Sequence, residues 1–247
     1  MFKLCASFLI GVFMVQVACA DGVPNSTKQL VVAVSEGWDS STGKLQCYNR
    51  QSDGSWKPAL SRSISVLFGR KGLAWGRGLY GQSEKGTHKR EGDGRTPAGV
   101  FTIGKVFGYD SRLTVNPSYP YRQVGKWDAW PDDVKNPYYN KHIVIDPAKG
   151  VPSWFEKQKM RHGDDAYRFL LEIRHNADPP KPGYGSAIFF HTRRGPGRTT
   201  AGCTTMTRDD LLSVIRWLRP DSRAHYLTMP KAEYLKRARD WKLPSLP

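Results

Sequence analysis

The chain has 247 residues, 39% of them apolar, with 38 basic against 22 acidic residues and a net charge of +16. That length can bury one large core or two small ones, and 24 glycines and 17 prolines without a period exclude a fibrous or repeat protein. The charge points to a cationic surface or an anionic polymer partner, and no nucleic-acid-binding motif accompanies it.

Residues 1–20 form a unit of their own. Met1-Phe2-Lys3 is a short basic start, residues 4–17 are an apolar run, and Ala18-Cys19-Ala20 is a small-residue cleavage site. This is the pattern of a secretory signal peptide. The run is short for a bilayer span, so the cleaved chain is expected to keep no integral membrane span and to work in the periplasm or cell envelope. A lipid-modified Cys19 is the weaker alternative, because Gln16 stands where such signals carry leucine. Cleavage removes one lysine and no acid, leaving +15. For an exported protein, cell-wall material or a membrane surface fits that charge better than nucleic acid.

Residues 21–29 read as a loose polar leader. Strands are predicted at 30–34 and 44–50, with a turn at 38–43, and at 63–69, where Ile64, Val66 and Phe68 share a face. Further strands are predicted at 100–103, 143–145, 169–173 and 187–190. Between them, 105–141 mixes aromatics and prolines too irregularly for a strand and reads as a long loop, either functional or a cover over the core. Thr207 is placed to cap a helix, with Asp210 three residues on. Leu211, Val214, Ile215 and Leu218 then fall on one face, and Pro220 stops the run. This predicts one long helix at about 208–218, followed by a short basic helix and tail at 231–247. The expected architecture is mainly β, a sandwich or barrel with a few short helices, in one domain over 30–230.

The chemistry concentrates late in the chain. The apolar run Ile188-Phe189-Phe190 delivers His191, and Gly202 delivers Cys203 twelve residues later. A thiol with an unperturbed pKa of about 8.5 needs a base at neutral pH, and an imidazole supplies one. If residues 193–200, rich in Arg, Gly and Pro, form a hairpin-like loop, the two side chains can meet. N–H groups around Gly202 and Cys203 are then candidates for an oxyanion hole. The competing use of Cys203 is a disulfide with Cys47, the other cysteine left after cleavage. The richer surroundings of Cys203 favour a free thiol. Without Cys-x-x-Cys or His-x-x-x-His spacing, no metal site is expected. His175-Asn176-Ala177-Asp178 reads as a turn, with His175 a candidate to line the cleft.

The stretch Gly183-Tyr184-Gly185-Ser186-Ala187-Ile188-Phe189-Phe190-His191, followed by Thr199-Thr200-Ala201-Gly202-Cys203, resembles the YkuD-type L,D-transpeptidase catalytic domain. So does Gly92-Asp93-Gly94-Arg95-Thr96-Pro97-Ala98-Gly99, similar to that family's glycine-rich turn. The resemblance implies an L,D-transpeptidase-like β-sandwich in the cell envelope, acting on peptidoglycan stem peptides without metal or organic cofactor. It implies Cys203 as nucleophile, His191 as base, the Thr192 carbonyl orienting the ring, and Gly202 with Cys203 at the oxyanion hole. The family's cysteine releases D-Ala and forms a thioester. An acceptor amine on a neighbouring strand or a protein then resolves it, or water does, as in an L,D-carboxypeptidase. Ala201 replaces a second family histidine, and Thr205 replaces an Arg or Asn that serves substrate recognition. Arg193, Arg194 and Arg198, with Thr205, are therefore the candidates for substrate binding. A non-catalytic wall-binding protein on the same fold is the alternative from another class.

Overall fold

Strand β1 (Gln29–Ser35) is apolar on both faces because it lies inside a sheet and against helices. The remaining strands are β2 (Thr42–Arg50), β3 (Trp56–Pro58), β4 (Ile64–Leu67), β5 (Leu73–Trp75), β6 (Thr96–Gly108), β7 (Tyr121–Gln123), β8 (Asp128–Ala129), β9 (Ile143–Val144), β10 (Phe169–Ile173), β11 (Phe189–Thr192), β12 (Thr204–Met206) and β13 (His225–Pro230). Three α-helices accompany them: α1 (Phe155–Gln158), α2 (Arg208–Trp217) and α3 (Lys231–Arg237). The computed structural model describes residues 22–80 and 84–246. The expected signal peptide, with Cys5 and Cys19, lies outside them.

The fold is mainly β. The main sheet runs β1-β13-β6-β10-β11-β12-β4-β2, and β2 pairs back onto β1, so the sheet closes into a barrel. Closure leaves no long open edge in the ring. Two of the contacts in the ring are parallel, β1 with β13 and β11 with β12. Leu45, Ile64, Val66, Phe101, Phe190, Met206 and Tyr226 share the inner face, Leu30, Val32 and Leu227 are buried on the opposite face, and all belong to one core with Leu211, Val214 and Ile215 of α2.

Helix α2 follows its sequence signals. The Thr207 hydroxyl accepts from the Asp210 N–H at 3.2 Å and donates to the Asp210 carboxylate at 2.6 Å, and Asp210 also takes the Arg62 guanidinium. The helix spans ten residues and ends at Trp217, ahead of Pro220. Strand β6 is far longer than the predicted 100–103: with Gly99 at φ 138 and a bulge opposite Leu171–Ile173, it pairs with β5, β7, β10 and β13 along its length. Residues 22–28 are not a loose leader. Thr27 is fully buried, its hydroxyl 2.9 Å from His225 Nδ1. The C-terminal tail is held as well: the Tyr48, Trp56 and Tyr234 side chains donate to the carbonyls of Ser245, Lys242 and Pro244.

The irregular stretch after β6 lies over the outside of the barrel and packs there as a second, smaller core. Phe107, Leu170 and Phe189 from the barrel meet Val124 and Met160 from the cover, with Trp130 edge-on to Phe189 at 5.0 Å. This cover forms one wall of the site described next.

Three buried histidines make the fold sensitive to acid. Burial lowers His175 to about 3, and His191 and His225 to about 4, from 6.5. The unfolded chain therefore binds protons below 6.5 that the folded chain refuses until much lower pH. Their contribution to stability is complete above pH 6.5 and is lost as the pH falls through the folded values. Thermal melts between pH 7.5 and 4 are expected to show Tm falling below about pH 6.5; a Tm level down to pH 5 contradicts this account.

Candidate active site

Side chains alternate along β11. Phe190 is fully buried in the barrel, so Phe189 and His191 face outward. Strand β12 pairs with β11 in parallel, with Phe190 opposite Thr204 and His191 opposite Thr205. Thr204 follows Phe190 inward, its hydroxyl 3.1 Å from the Tyr226 hydroxyl. One residue earlier, Cys203 faces outward beside Phe189 and Ala187, on the same side of the sheet as His191.

The parallel register corrects the expected hairpin. After Thr192 the chain runs back beside the barrel before entering β12. It is tied down by Thr200, which donates its N–H to the Phe68 carbonyl at 3.1 Å and accepts from the Arg70 N–H at 2.9 Å. Gly202 is required there by close approach rather than by an unusual φ: a Cβ would lie 3.0 Å from the Arg95 carbonyl oxygen and 3.2 Å from Ile188. Arg95 belongs to the glycine-rich turn, whose Asp93 carboxylate accepts the Arg90 and Arg95 N–H groups at 2.8 Å each. Gly92 and Gly94, at φ 71 and 72, allow that turn. The two sequence motifs thus meet back to back.

The Cys203 thiol donates to the Ala187 carbonyl and accepts from the Phe189 N–H, each at 3.4 Å. His191 Nδ1 lies 3.0 Å from the Thr192 carbonyl. A carbonyl only accepts, so Nδ1 carries the proton and Nε2 keeps the lone pair. Tyr167 stands edge-on to the imidazole at 5.0 Å. Among the described residues no hydrogen bond joins His191 to Cys203; both line one cleft of about 520 Å³. Burial pushes His191 down to about 4, against the pull of the Thr192 carbonyl. Although Cys203 keeps some surface at the cleft floor, packing around its sulfur pushes the thiol up to about 11, opposed by the Phe189 N–H and the charge of Lys89. The resting pair is therefore a neutral thiol and a neutral imidazole.

Cys203 also borders a second cleft of about 390 Å³ on its other side, walled by Trp130, Met160, Leu170 and Phe189 and rimmed by Lys157, Lys159 and His162. Ala187, Tyr167, Arg194 and Asp132 belong to both clefts.

The other sequence candidates separate. Arg194 reaches the clefts, ion-paired with Asp164 at 2.8 Å and lying over the Tyr167 ring. Arg198 and Thr205 line the larger cleft, and the buried Thr205 hydroxyl has no partner. Arg193 is turned away and donates to the Ser65 carbonyl at 2.6 Å, because its position on the chain follows the last residue of β11 down the barrel side. Gly202's N–H is taken by the Thr200 hydroxyl at 3.0 Å, which leaves the Cys203 N–H as the open backbone donor at the turn. His175 does not line the cleft; it sits behind the wall, Nε2 donating to the Tyr184 carbonyl at 2.9 Å. Cys47 is buried inside the barrel on β2, and both it and Cys203 are free thiols. Among the described residues no group of three or more His, Cys, Asp or Glu side chains is arranged to hold a metal ion.

Sequence reading missed Asn140, Glu91 and Lys89. Asn140 donates to the carbonyls of His175 and Asn176, and accepts from the Trp130 indole and the Ala187 N–H at 3.0 Å each. It thereby holds Ala187, at φ 52, in the left-handed region that aims the Ala187 carbonyl at Cys203. The Glu91 carboxylate lines the cleft and accepts from Tyr139 at 2.5 Å and Ser186 at 2.7 Å. The run Lys89-Arg90-Glu91 directly before the glycine turn was the available signal for two of these.

A family model for the L,D-transpeptidase catalytic domain, YkuD, matches residues 41–225. No curated protein and no solved structure matches the chain.

Two outcomes follow from the geometry. Because the resting thiol is neutral, alkylation of Cys203 by iodoacetamide should rise about tenfold per pH unit from 7 toward 10; a plateau already reached at pH 7 would mean a preformed thiolate–imidazolium pair. Asn140→Ala strands four buried backbone and indole groups and should lower stability in urea by about 2–4 kcal/mol.

Proposed function

The chain belongs to the YkuD L,D-transpeptidase catalytic-domain family, and on that premise we propose that it is an exported cysteine acyltransferase acting on peptidoglycan stem peptides. The observation that carries the reading is the placing of Cys203 between two clefts, on the same outer face of the sheet as a rigidly oriented His191.

In this reaction His191 Nε2 takes the thiol proton as the Cys203 sulfur bonds to the carbonyl carbon that joins the stem's L-lysine or diaminopimelate to D-Ala. The neutral resting pair moves the proton during attack, and the low basicity of the buried imidazole makes His191 a strong acid for the next step. The carbonyl oxygen becomes an oxyanion facing the Cys203 N–H, with the Gly202 N–H joining if the Thr200 hydroxyl turns aside. The C–N bond then breaks and D-Ala leaves with the proton from His191. A thioester remains on Cys203. An acceptor amine attacks it and gives a proton to His191, and the departing thiolate recovers that proton. Arg194, Arg198 and the unpartnered Thr205 hydroxyl are the groups that face the substrate's polar atoms.

Two clefts favour transfer to an amine over transfer to water, since one holds the acyl donor while the other admits the acceptor. The apolar walls of the smaller cleft, rimmed by Lys157 and Lys159, and the Glu91 carboxylate in the larger, give the two sides different chemistry. The leader at residues 1–20 supports export to the periplasm or cell envelope. Among the described residues no helix is long and apolar enough to cross a membrane.

The test is mass spectrometry of residues 21–247 with a disaccharide tetrapeptide, beside Cys203→Ala. The expected result is loss of D-Ala, a Cys203-dependent thioester adduct and joined stems. A tripeptide product alone would identify an L,D-carboxypeptidase. No reaction with a free Cys203 would sink the enzyme reading and leave a wall-binding module.

A further inference from the structure

Lys89 is a lysine where a lysine is costly. It is 2% exposed and lines the larger cleft. Its stem passes through a slot left by two glycines: a Cβ on Gly185 would meet it at 3.0 Å, and one on Gly202 would lie 3.7 Å from its Cε. Gly202 is the residue before Cys203, so the stem runs directly behind the turn that presents the thiol. The ammonium donates to the Arg90 carbonyl and to Asp93 Oδ1, each at 2.6 Å.

Holding the turn together does not account for this charge. The Asp93 carboxylate is already fixed by two backbone N–H groups, from Arg90 and Arg95. A buried ammonium added to that arrangement carries a desolvation cost that a neutral side chain would avoid. The cleft's other cations, Arg70, Arg194 and Arg198, are exposed, where solvent screens their charge. His191 and Tyr167 face the thiol from β11 and the turn before β10, and both are neutral at rest, the imidazole pushed down to about 4 and the phenol up to about 12. Arg194 is engaged by Asp164 and the Tyr167 ring. His175, packed against the same Gly185 slot, is neutral too, at about 3.

We propose that Lys89 is a positioning residue for Cys203: its buried ammonium, clamped by Asp93 behind the Gly202–Cys203 turn, is the fixed positive charge against which the thiolate and the oxyanion develop. The oxyanion half rests on the acyltransferase reading; the thiolate half does not. Asp93 sets the strength of that charge, since its carboxylate accepts from the ammonium at 2.6 Å and offsets part of the positive field. The same ion pair thereby links the glycine-rich motif to the cysteine motif, Cys203 lying 110 residues after Asp93 in the chain.

The experiment is the pH dependence of Cys203 alkylation, read at the Cys203 peptide by mass spectrometry, in the wild type, Lys89→Met, Lys89→Arg and Asp93→Asn. Lys89→Met should move the titration upward and slow alkylation at pH 8 by about three- to tenfold. Lys89→Arg should restore most of the rate, and Asp93→Asn, which frees the ammonium, should speed it. A purely structural clamp predicts that Lys89→Met and Asp93→Asn perturb the thiol in the same direction, and that result, or a wild-type titration in Lys89→Met, would overturn the proposal. If Lys89→Met fails to fold, Lys89→Gln, which keeps a hydrogen-bond donor without the charge, is read in its place with the same expected slowing, and wild-type alkylation in it would overturn the proposal. No substrate is used, so a failure to release D-Ala counts against the enzyme reading and leaves this outcome independent.

Discussion

The parallel pairing of β11 with β12 is the constraint on which the site depends. A hairpin closed by residues 193–200 would set Cys203 opposite Phe190, and Phe190 points into the barrel. The thiol would then be sealed in the core and His191 left alone outside. The parallel register moves Cys203 opposite Phe189 instead, onto the outer face that His191 shares. The long return loop is the cost of that register, and Thr200, pinned to the backbone of Phe68 and Arg70, ties the loop down just before the Cys203 thiol.

Around this pairing the electrostatics divide into two kinds of group. Some are mobile in protonation and neutral at rest: Cys203, His191 and Tyr167. Others are fixed: the Thr192 carbonyl, the Cys203 N–H and the Lys89 ammonium. A pair that starts neutral avoids holding two desolvated charges in a buried site, and the fixed dipoles need no reorganisation when charge appears during reaction. Asn140 belongs to the fixed set although it never touches the thiol, since it holds the backbone of Ala187 that does.

Much of this was legible in the sequence where one local rule governed the outcome. Alternation in 63–69 placed Ile64, Val66 and Phe68 inside, and Thr207 with Asp210 marked the start of α2. Cys203 and His191 stood out by residue type and spacing. What was missed depended on partners distant in the chain. Strand β13 carries His225, Tyr226 and Thr228, a composition that reads as ordinary until its slot between β1 and β6 is known. Strand β12 has three residues, too few for a pattern. Arg193 and Arg194 are equivalent in sequence, yet the strand's last residues send one to Ser65 and the other to Tyr167 and the clefts. Lys89 is surrounded by polar residues and looks solvated; only Gly185 and Gly202 arriving from far along the chain bury it.

The barrel's closure has a kinetic side. Its first strand, β1, pairs with β13, and β13 also fills the gap to β6. Residues 225–230 are thus a keystone that follows every other strand of the ring in chain order. A chain emerging N-terminus first holds β1 with one unpaired edge and β6 with another until those residues arrive, so no stable ring exists in a partial chain. Contacts this distant in sequence make folding slow and late. Loss of this one six-residue strand would therefore open the ring along two seams at once, although β11 and β12, paired with each other and with β10 and β4, lie on its far side.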